Sequence, residues 1–316
     1  MSTSTALQLS PFAADVQAGL VEASRKKLSP TYLYDDLGSK LFEAITVLPE
    51  YGCTRADERI LARCSRQIAA QMRSRAAVAE LGSGCGRKTS HILSAIGSRL
   101  AGYFPIDVSN EALSACCREL APFAQVSPIH GDYSAGLKQL AEQRPKHTHL
   151  LLLFLGSTIG NFERLEQIEF LRSLRKALRP GDLFLLGTDL VKDVQRMLNA
   201  YDDPAGVTSA FNLNLLGRMN RELGADFDLR SFAHEARWNE KERSIEMHLV
   251  SRRNQSVNVT ALEAQVHFES RESIWTESSH KFTLGDLDQL AELTGFTPLQ
   301  VWTDSEWPFA ESLWRA

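Results

Sequence analysis

The sequence predicts an α/β fold, a doubly wound and mostly parallel sheet that carries an inserted, smaller α+β domain. Three observations lead there. After Val78, short apolar runs alternate with amphipathic stretches, the pattern of βα units feeding a parallel sheet. Between about 191 and 279 that pattern gives way to helical stretches followed by alternating segments. From about 280 onward the first pattern resumes.

Strands are expected at 78–82, 102–107, 125–130, 149–155 and 182–188, with helices between them. Residues 150–155 form a continuous apolar run, as a strand covered on both faces should. The clearest helix covers 164–178: Leu165, Ile168, Leu171, Leu174 and Leu178 recur at helical spacing, and Arg179-Pro180-Gly181-Asp182 stops it. Two helices are then expected, at 191–201 and 207–222. Antiparallel strands follow, read from Ile245, Met247, Leu249 and from Val257, Val259. A helix at 284–294 capped by Gly295 and strands at 297–303 and 309–314 complete the chain. The expected division is a core of 55–190 and 280–316, and a smaller domain of 1–54 and 191–279. The smaller domain should close over the carboxyl ends of the strands, where open α/β sheets bind ligands.

A chain of 316 residues, 43% hydrophobic and 23% charged, can bury a large core without disulfides or metals. Its net charge of −4 leaves no basic excess for neutralising phosphates, so a small-molecule substrate is expected and nucleic acid is not. Five cysteines (Cys53, Cys64, Cys85, Cys116, Cys117) are odd in number and form no C-x-x-C pair, which argues for reduced thiols. No H-x-x-x-H or H-E-x-x-H spacing points to a metal. Met1 to Ser10 lacks a basic segment followed by an apolar one, and no apolar run approaches the ~18 residues of a membrane span. The expectation is a cytoplasmic protein without a membrane partner, compatible with a monomer.

The first strand runs into Gly82-Ser83-Gly84-Cys85-Gly86, and a helix starts near Lys88-Thr89. Such a turn lets backbone pass close to a ligand and leaves N–H groups at a helix start. The dinucleotide fingerprint would need glycine or alanine at 87, where this chain has Arg87. Glu80-x-Gly82-x-Gly84 directly after the strand instead resembles motif I of the class I methyltransferases, whose cofactor, S-adenosylmethionine, has no pyrophosphate. The second strand ends at Asp107, a carboxylate able to accept two hydrogen bonds from a ribose diol. The third ends in Gly131-Asp132-Tyr133, where Asp132 could take the adenine amino group and Tyr133 could flank the ring. Read one at a time, Asp107 and Asp132 are loop-entry residues or N-caps, the commoner role for a single Asp.

Longer strings resemble the ergothioneine-pathway L-histidine Nα-methyltransferase family. They are Tyr34-Asp35-Asp36-Leu37-Gly38-Ser39 with Leu48-Pro49-Glu50-Tyr51; Leu155-Gly156-Ser157-Thr158-Ile159-Gly160-Asn161; Gly187-Thr188-Asp189-Leu190-Val191-Lys192-Asp193; Asn199-Ala200-Tyr201-Asp202-Asp203; Asn220-Arg221-Glu222-Leu223-Gly224-Ala225-Asp226-Phe227; and Thr276-Glu277-Ser278-Ser279-His280-Lys281-Phe282. The resemblance implies a Rossmann-like class I core and a roster of roles. Tyr34 would lie by the reacting nitrogen as the catalytic residue. Tyr51, Asn161 and Tyr201 would hold the amino and carboxylate groups, with Gly156 beside them. Glu277 and Ser279 would hold the imidazole, with Met247 as a wall. Gly82, Gly84, Lys88, Asp107, Asp132 and Tyr133 would bind the cofactor. Gly52-Cys53 departs from the family, which more often has tyrosine and proline there.

The residue types suit that chemistry. Methyl transfer needs a neutral amine, and tyrosine hydroxyls can orient its lone pair without a fixed negative charge that would keep it protonated. Glu277 and Ser279 are two apart, so on a strand both face one way; a carboxylate can take the imidazole N–H while a hydroxyl donates to the other nitrogen. An acceptor other than histidine, another amino acid or a small amine, remains the alternative on the same scaffold. A nicotinamide oxidoreductase and a silent cofactor-binding module are the other classes. Arg87 and the missing hydride-transfer site oppose the first, the polar pocket residues the second.

Overall fold

The computed structural model describes residues 9–72 and 74–316. The targeting-signal reading of Met1 to Ser10 rests mainly on residues outside this range. The chain divides into two compact units: a larger one of Gly52–Lys192 and His280–Ala316, and a smaller one of Asp193–Ser279 with the described residues up to Tyr51. In chain order the strands are β1 (Ala76–Leu81), β2 (Leu100–Asp107), β3 (Ile129–His130), β4 (His149–Phe154), β5 (Leu183–Asp189), β6 (Phe232–Asn239), β7 (Ser244–Ser251), β8 (Gln255–Val259), β9 (Ala264–Phe268), β10 (Ser273–His280), β11 (Thr297–Asp304) and β12 (Phe309–Arg315).

The larger unit is built on one sheet of order β11-β12-β5-β4-β1-β2-β3. β1 to β5 run parallel, and β12 enters antiparallel to β5. This is the doubly wound class I arrangement: the order reverses at β1 and β4, whose carboxyl ends form a topological switch point. Every residue of β1 and β5 is buried, as expected of strands with helices on both faces. β3 is much shorter than the 125–130 expected. Val126 makes only an isolated bridge to Tyr103, and Pro128, which has no N–H to donate, delays the ladder until Ile129. β1 ends at Leu81, one residue early, because Gly82 already has φ +67°.

The helix Arg164–Ala177 opens with a capping box between Glu163 and Glu166 and buries Leu171 and Leu174. Leu165, counted in the apolar stripe from sequence, is 76% exposed. Nine residues separate it from Leu174, which at about 100° per residue puts it on the opposite face. The C-terminal helix Leu284–Thr294 has a Thr283/Asp286 capping box and ends at Gly295 with φ +80°. At the end of the helix Tyr133–Gln143, Arg144 forms a buried fork with Asp182, both pairs at 2.6 Å, and Asp182 also accepts from the Leu150 and Arg179 backbone N–H groups.

The smaller unit holds a three-stranded sheet of order β10-β7-β6 and a hairpin of β8 and β9. Helices run over Asp36–Thr46, Val194–Tyr201 and Val207–Leu223, the last ending at Gly224 with φ +60°. The helix expected from 191 starts only at Val194, because the Asp193 side chain caps it by accepting from Arg196 N–H. Ile245, Met247 and Leu249 lie on β7 as expected, and all eight of its residues are buried: β7 is the central strand, and on its other face Glu246 and His248 satisfy each other at 3.1 Å. Among the described residues no helix is long and apolar enough to cross a membrane.

Candidate active site

In the larger unit the carboxyl ends of β1, β2 and β3 carry the glycine turn and the carboxylates. Gly82, Gly84 and Gly86 have φ of +67°, +52° and +71°, a run of left-handed backbone that other residues adopt only under strain. A Cβ at Gly84 would meet nothing, so the turn is open there. One at Gly86 would stand 2.7 Å from both Cys116 and Leu120, so Gly86, not position 87, makes the close helix approach. Gly84 N–H donates to Asp107 Oδ2 at 3.2 Å and Ser109 N–H to Oδ1 at 3.0 Å, which aims the Asp107 carboxylate along the turn. Glu80 lies beneath, accepting from Thr89 (2.7 Å) and Tyr103 (2.5 Å), and burial raises its carboxyl to about 7. Asp132 caps the helix Tyr133–Gln143 by accepting from Ala135 N–H while its carboxylate stays exposed, so both readings of this residue can hold together. Tyr133 packs its ring on Phe154 and Phe170, at 5.5 and 5.6 Å, with its hydroxyl over Gly82. Lys88 sits in a 3-10 turn, Arg87–Thr89, ahead of the helix, and its ammonium pairs with Asp57.

Beyond β4, Gly156 has φ +72° and its N–H donates to Asp57 Oδ2 at 3.0 Å. Ser157, also left-handed at φ +64°, accepts from Asp189 N–H at 2.8 Å and ties this loop to the end of β5. Asn161 closes a 3-10 turn, Thr158–Asn161, half-buried. Asp189 is buried between Lys192 (2.5 Å) and Lys281 (3.1 Å) and accepts from the Trp307 indole; the two ammonium groups hold its carboxyl below the usual range against burial. The unusual Gly52 has a local reason: a Cβ there would fall 2.2 Å from the Trp307 ring.

The smaller unit brings its candidate residues into one arc of rings. Tyr34 lies edge-on to Phe42 (5.5 Å) and Phe211 (5.4 Å), Phe42 to Tyr51 (6.3 Å), and Tyr51 to Tyr201 (6.3 Å). Tyr201 then donates to Ser279 Oγ at 2.7 Å. Glu277 and Ser279 are buried on β10, whose Thr276 hydroxyl donates to Met247 O, and Met247 is buried on the adjacent β7. Two further buried polar side chains of this unit, Asn214 and His248, have other work. Asn214 and Arg221 both donate to Asp35 at 2.7 Å, and His248 pairs with Glu246. Sequence reading overlooked His234, which takes a hydrogen bond from Asn212 at Nδ1 and donates from Nε2 to Tyr201 O at 2.7 Å; burial lowers its pKa and keeps it neutral for that role. It also overlooked Asp57. The signal was present: in the helix Cys53–Ala70 Asp57 falls on the stripe of Cys53, Ile60, Leu61, Cys64 and Ile68, a carboxylate on an otherwise buried face.

With this geometry in view, similarity to known proteins becomes specific. A family described as histidine-specific, S-adenosylmethionine-dependent methyltransferases matches residues 12–316. The chain belongs to that family. Histidine N-alpha-methyltransferases from Mycobacterium tuberculosis and Mycolicibacterium smegmatis are 42% and 43% identical to it, each over 95% of this chain and 93% of the relative. Ergothioneine biosynthesis protein 1 of Neurospora crassa is 33% identical over 63% of this chain and 23% of its own length. The chain is thus an S-adenosylmethionine-dependent N-methyltransferase with a Rossmann-like core. Its residues fit the cofactor: an open glycine backbone, carboxylates at the ends of two strands and an aromatic ring beside them serve an adenosyl group without pyrophosphate.

Proposed function

We propose that this enzyme methylates the α-amino group of L-histidine through to the trimethylated betaine, the first step of ergothioneine formation. The observation that carries this reading is the Tyr201 to Ser279 hydrogen bond. A serine hydroxyl that accepts from Tyr201 still has its own proton to donate, the role an imidazole nitrogen requires, and Glu277 two residues away can accept from the other ring N–H. Bound S-adenosylmethionine supplies an electrophilic methyl group. Gly82, Gly84, Lys88, Asp107, Asp132 and Tyr133 of the larger unit are assigned to hold it. By the family resemblance, Tyr34, Tyr51 and Tyr201 are assigned to the amino and carboxylate groups, as are Gly156 and Asn161. The tyrosines do this with neutral hydroxyls and ring faces. An α-amino group titrates near ~8 even in peptides, so a site without a nearby anion favours the neutral amine that reacts.

Incubation with each standard amino acid, read by mass spectrometry, tests the acceptor; trimethylhistidine is the expected product, and methylation of a different amino acid in preference would sink the proposal. For the cofactor, Asp107→Ala removes the diol acceptor and should weaken S-adenosylhomocysteine binding by about 1.5–3 kcal/mol, the worth of a hydrogen bond to a charged group. Unchanged affinity by calorimetry in a folded variant would remove Asp107 from the site. Repeated transfer has its own consequence. Each methyl replaces an N–H donor and the last leaves a permanent cation, which ring faces tolerate. Dimethylhistidine is therefore expected to bind at least as well as histidine, and product that stops at the monomethyl form under excess cofactor would contradict this.

A further inference from the structure

The mechanism above leaves a buried acid cluster unused. Asp57, on the helix Cys53–Ala70, is fully buried; its Oδ2 takes both the Lys88 ammonium and the Gly156 N–H. Glu311 of β12, also fully buried, stands within hydrogen-bonding reach of Asp57. Among the described residues no N–H or O–H group serves Asp57 Oδ1 or either Glu311 oxygen. Two carboxyls so placed away from water cannot both be charged, so one proton lies between them. Burial and the neighbouring Asp57 charge push the Glu311 carboxyl well above its usual range, whereas Asp57 faces the ammonium, so a proton held by Glu311 can serve the otherwise unserved Asp57 Oδ1. The room for this contact comes from Gly187, paired with Glu311 across β5 and β12. A Cβ there would lie 2.6 Å from Glu311 Oε1 and 3.1 Å from the Gly156 nitrogen.

We infer that Asp57 is a positioning residue, held by a neutral Glu311, which clamps Lys88 of the cofactor-binding turn and the Gly156 backbone of the loop after β4 in one fixed relation. This rests on the assignment of Lys88 to cofactor and Gly156 to the acceptor. One carboxylate oxygen is shared by the two loops, so disturbing it moves both ligands at once. Lys88 alone serves only the first.

The test uses the full chain and four variants: Asp57→Ala, Lys88→Met, Glu311→Ala and Glu311→Gln. Each is read by S-adenosylhomocysteine affinity in calorimetry, by the acceptor KM and kcat, and by thermal melting. Asp57→Ala should weaken S-adenosylhomocysteine about tenfold and raise the acceptor KM by a similar factor, the effect of a lost charge-assisted hydrogen bond. Lys88→Met should weaken S-adenosylhomocysteine while leaving the acceptor KM near wild type. Glu311→Gln keeps a neutral donor and should match wild type in both readouts, whereas Glu311→Ala should shift both as Asp57→Ala does. The Glu311 pair decides the matter even where Asp57→Ala does not fold. The inference is overturned if Glu311→Gln is as damaging as Glu311→Ala, or if Asp57→Ala and Glu311→Ala lower the melting temperature and leave both ligand readouts unmoved. A wild-type protein that fails to bind S-adenosylhomocysteine would instead overturn the cofactor assignment itself.

Discussion

Replacing Glu277 by alanine is expected to lower kcat/KM for L-histidine by roughly 10- to 150-fold, the equivalent of a lost charged hydrogen bond worth about 1.5–3 kcal/mol. S-adenosylhomocysteine affinity should stay at its wild-type value, because Glu277 lies on β10 of the smaller unit and the glycine turn belongs to the larger one. The wild type should reject phenylalanine and leucine by about 10⁴ relative to histidine, since a side chain without the ring nitrogens leaves buried polar groups unpaired. In Glu277→Ala/Ser279→Ala those groups are gone, and the gap between histidine and the apolar amino acids should narrow. Ser279→Ala alone carries a second cost, because the Tyr201 hydroxyl loses its acceptor. Measuring kcat/KM for histidine, phenylalanine and tryptophan with both proteins settles it. A double variant that keeps the wild-type preference would mean the imidazole is read elsewhere.

The largest stability effect is expected at Asp182. Asp182→Ala leaves the Arg144 guanidinium buried without its counter-charge and strips acceptors from two backbone N–H groups. Breaking a buried pair from one side typically costs about 3–5 kcal/mol. Replacing both partners, as in Arg144→Met/Asp182→Leu, removes the stranded charge as well and should recover much of the loss. The comparison is of urea midpoints for the three proteins. If the single variant unfolds at the wild-type midpoint, the fork contributes nothing; if the double variant is as unstable as the single one, its role is the backbone contacts of Asp182 and not the charge of Arg144.

Local rules carried much of this protein. The β4 run, the capped helices Arg164–Ala177 and Leu284–Thr294, the glycine turn with its carboxylates two strands along, and the two-residue spacing of Glu277 and Ser279 are all written in contiguous residues. Their physics is short-ranged, set by side-chain periodicity, caps and backbone freedom. The misses had finer causes. Leu165 drifts off its stripe because three-residue steps lag the helical turn, and β3 shortens at a single proline.

The acid cluster shows where sequence reading stops. A stripe position on an amphipathic helix marks Asp57 as odd, yet its meaning depends on Lys88, Gly156 and Glu311, residues 31, 99 and 254 positions away in the chain. Sequence alone determined the class of fold and, through its resemblance, the family, because these follow from period and motif. Tertiary structure decided which carboxyls are buried together, which serine accepts from Tyr201 and which glycine makes room, because burial and hydrogen-bond partners come from neighbours that only folding brings together.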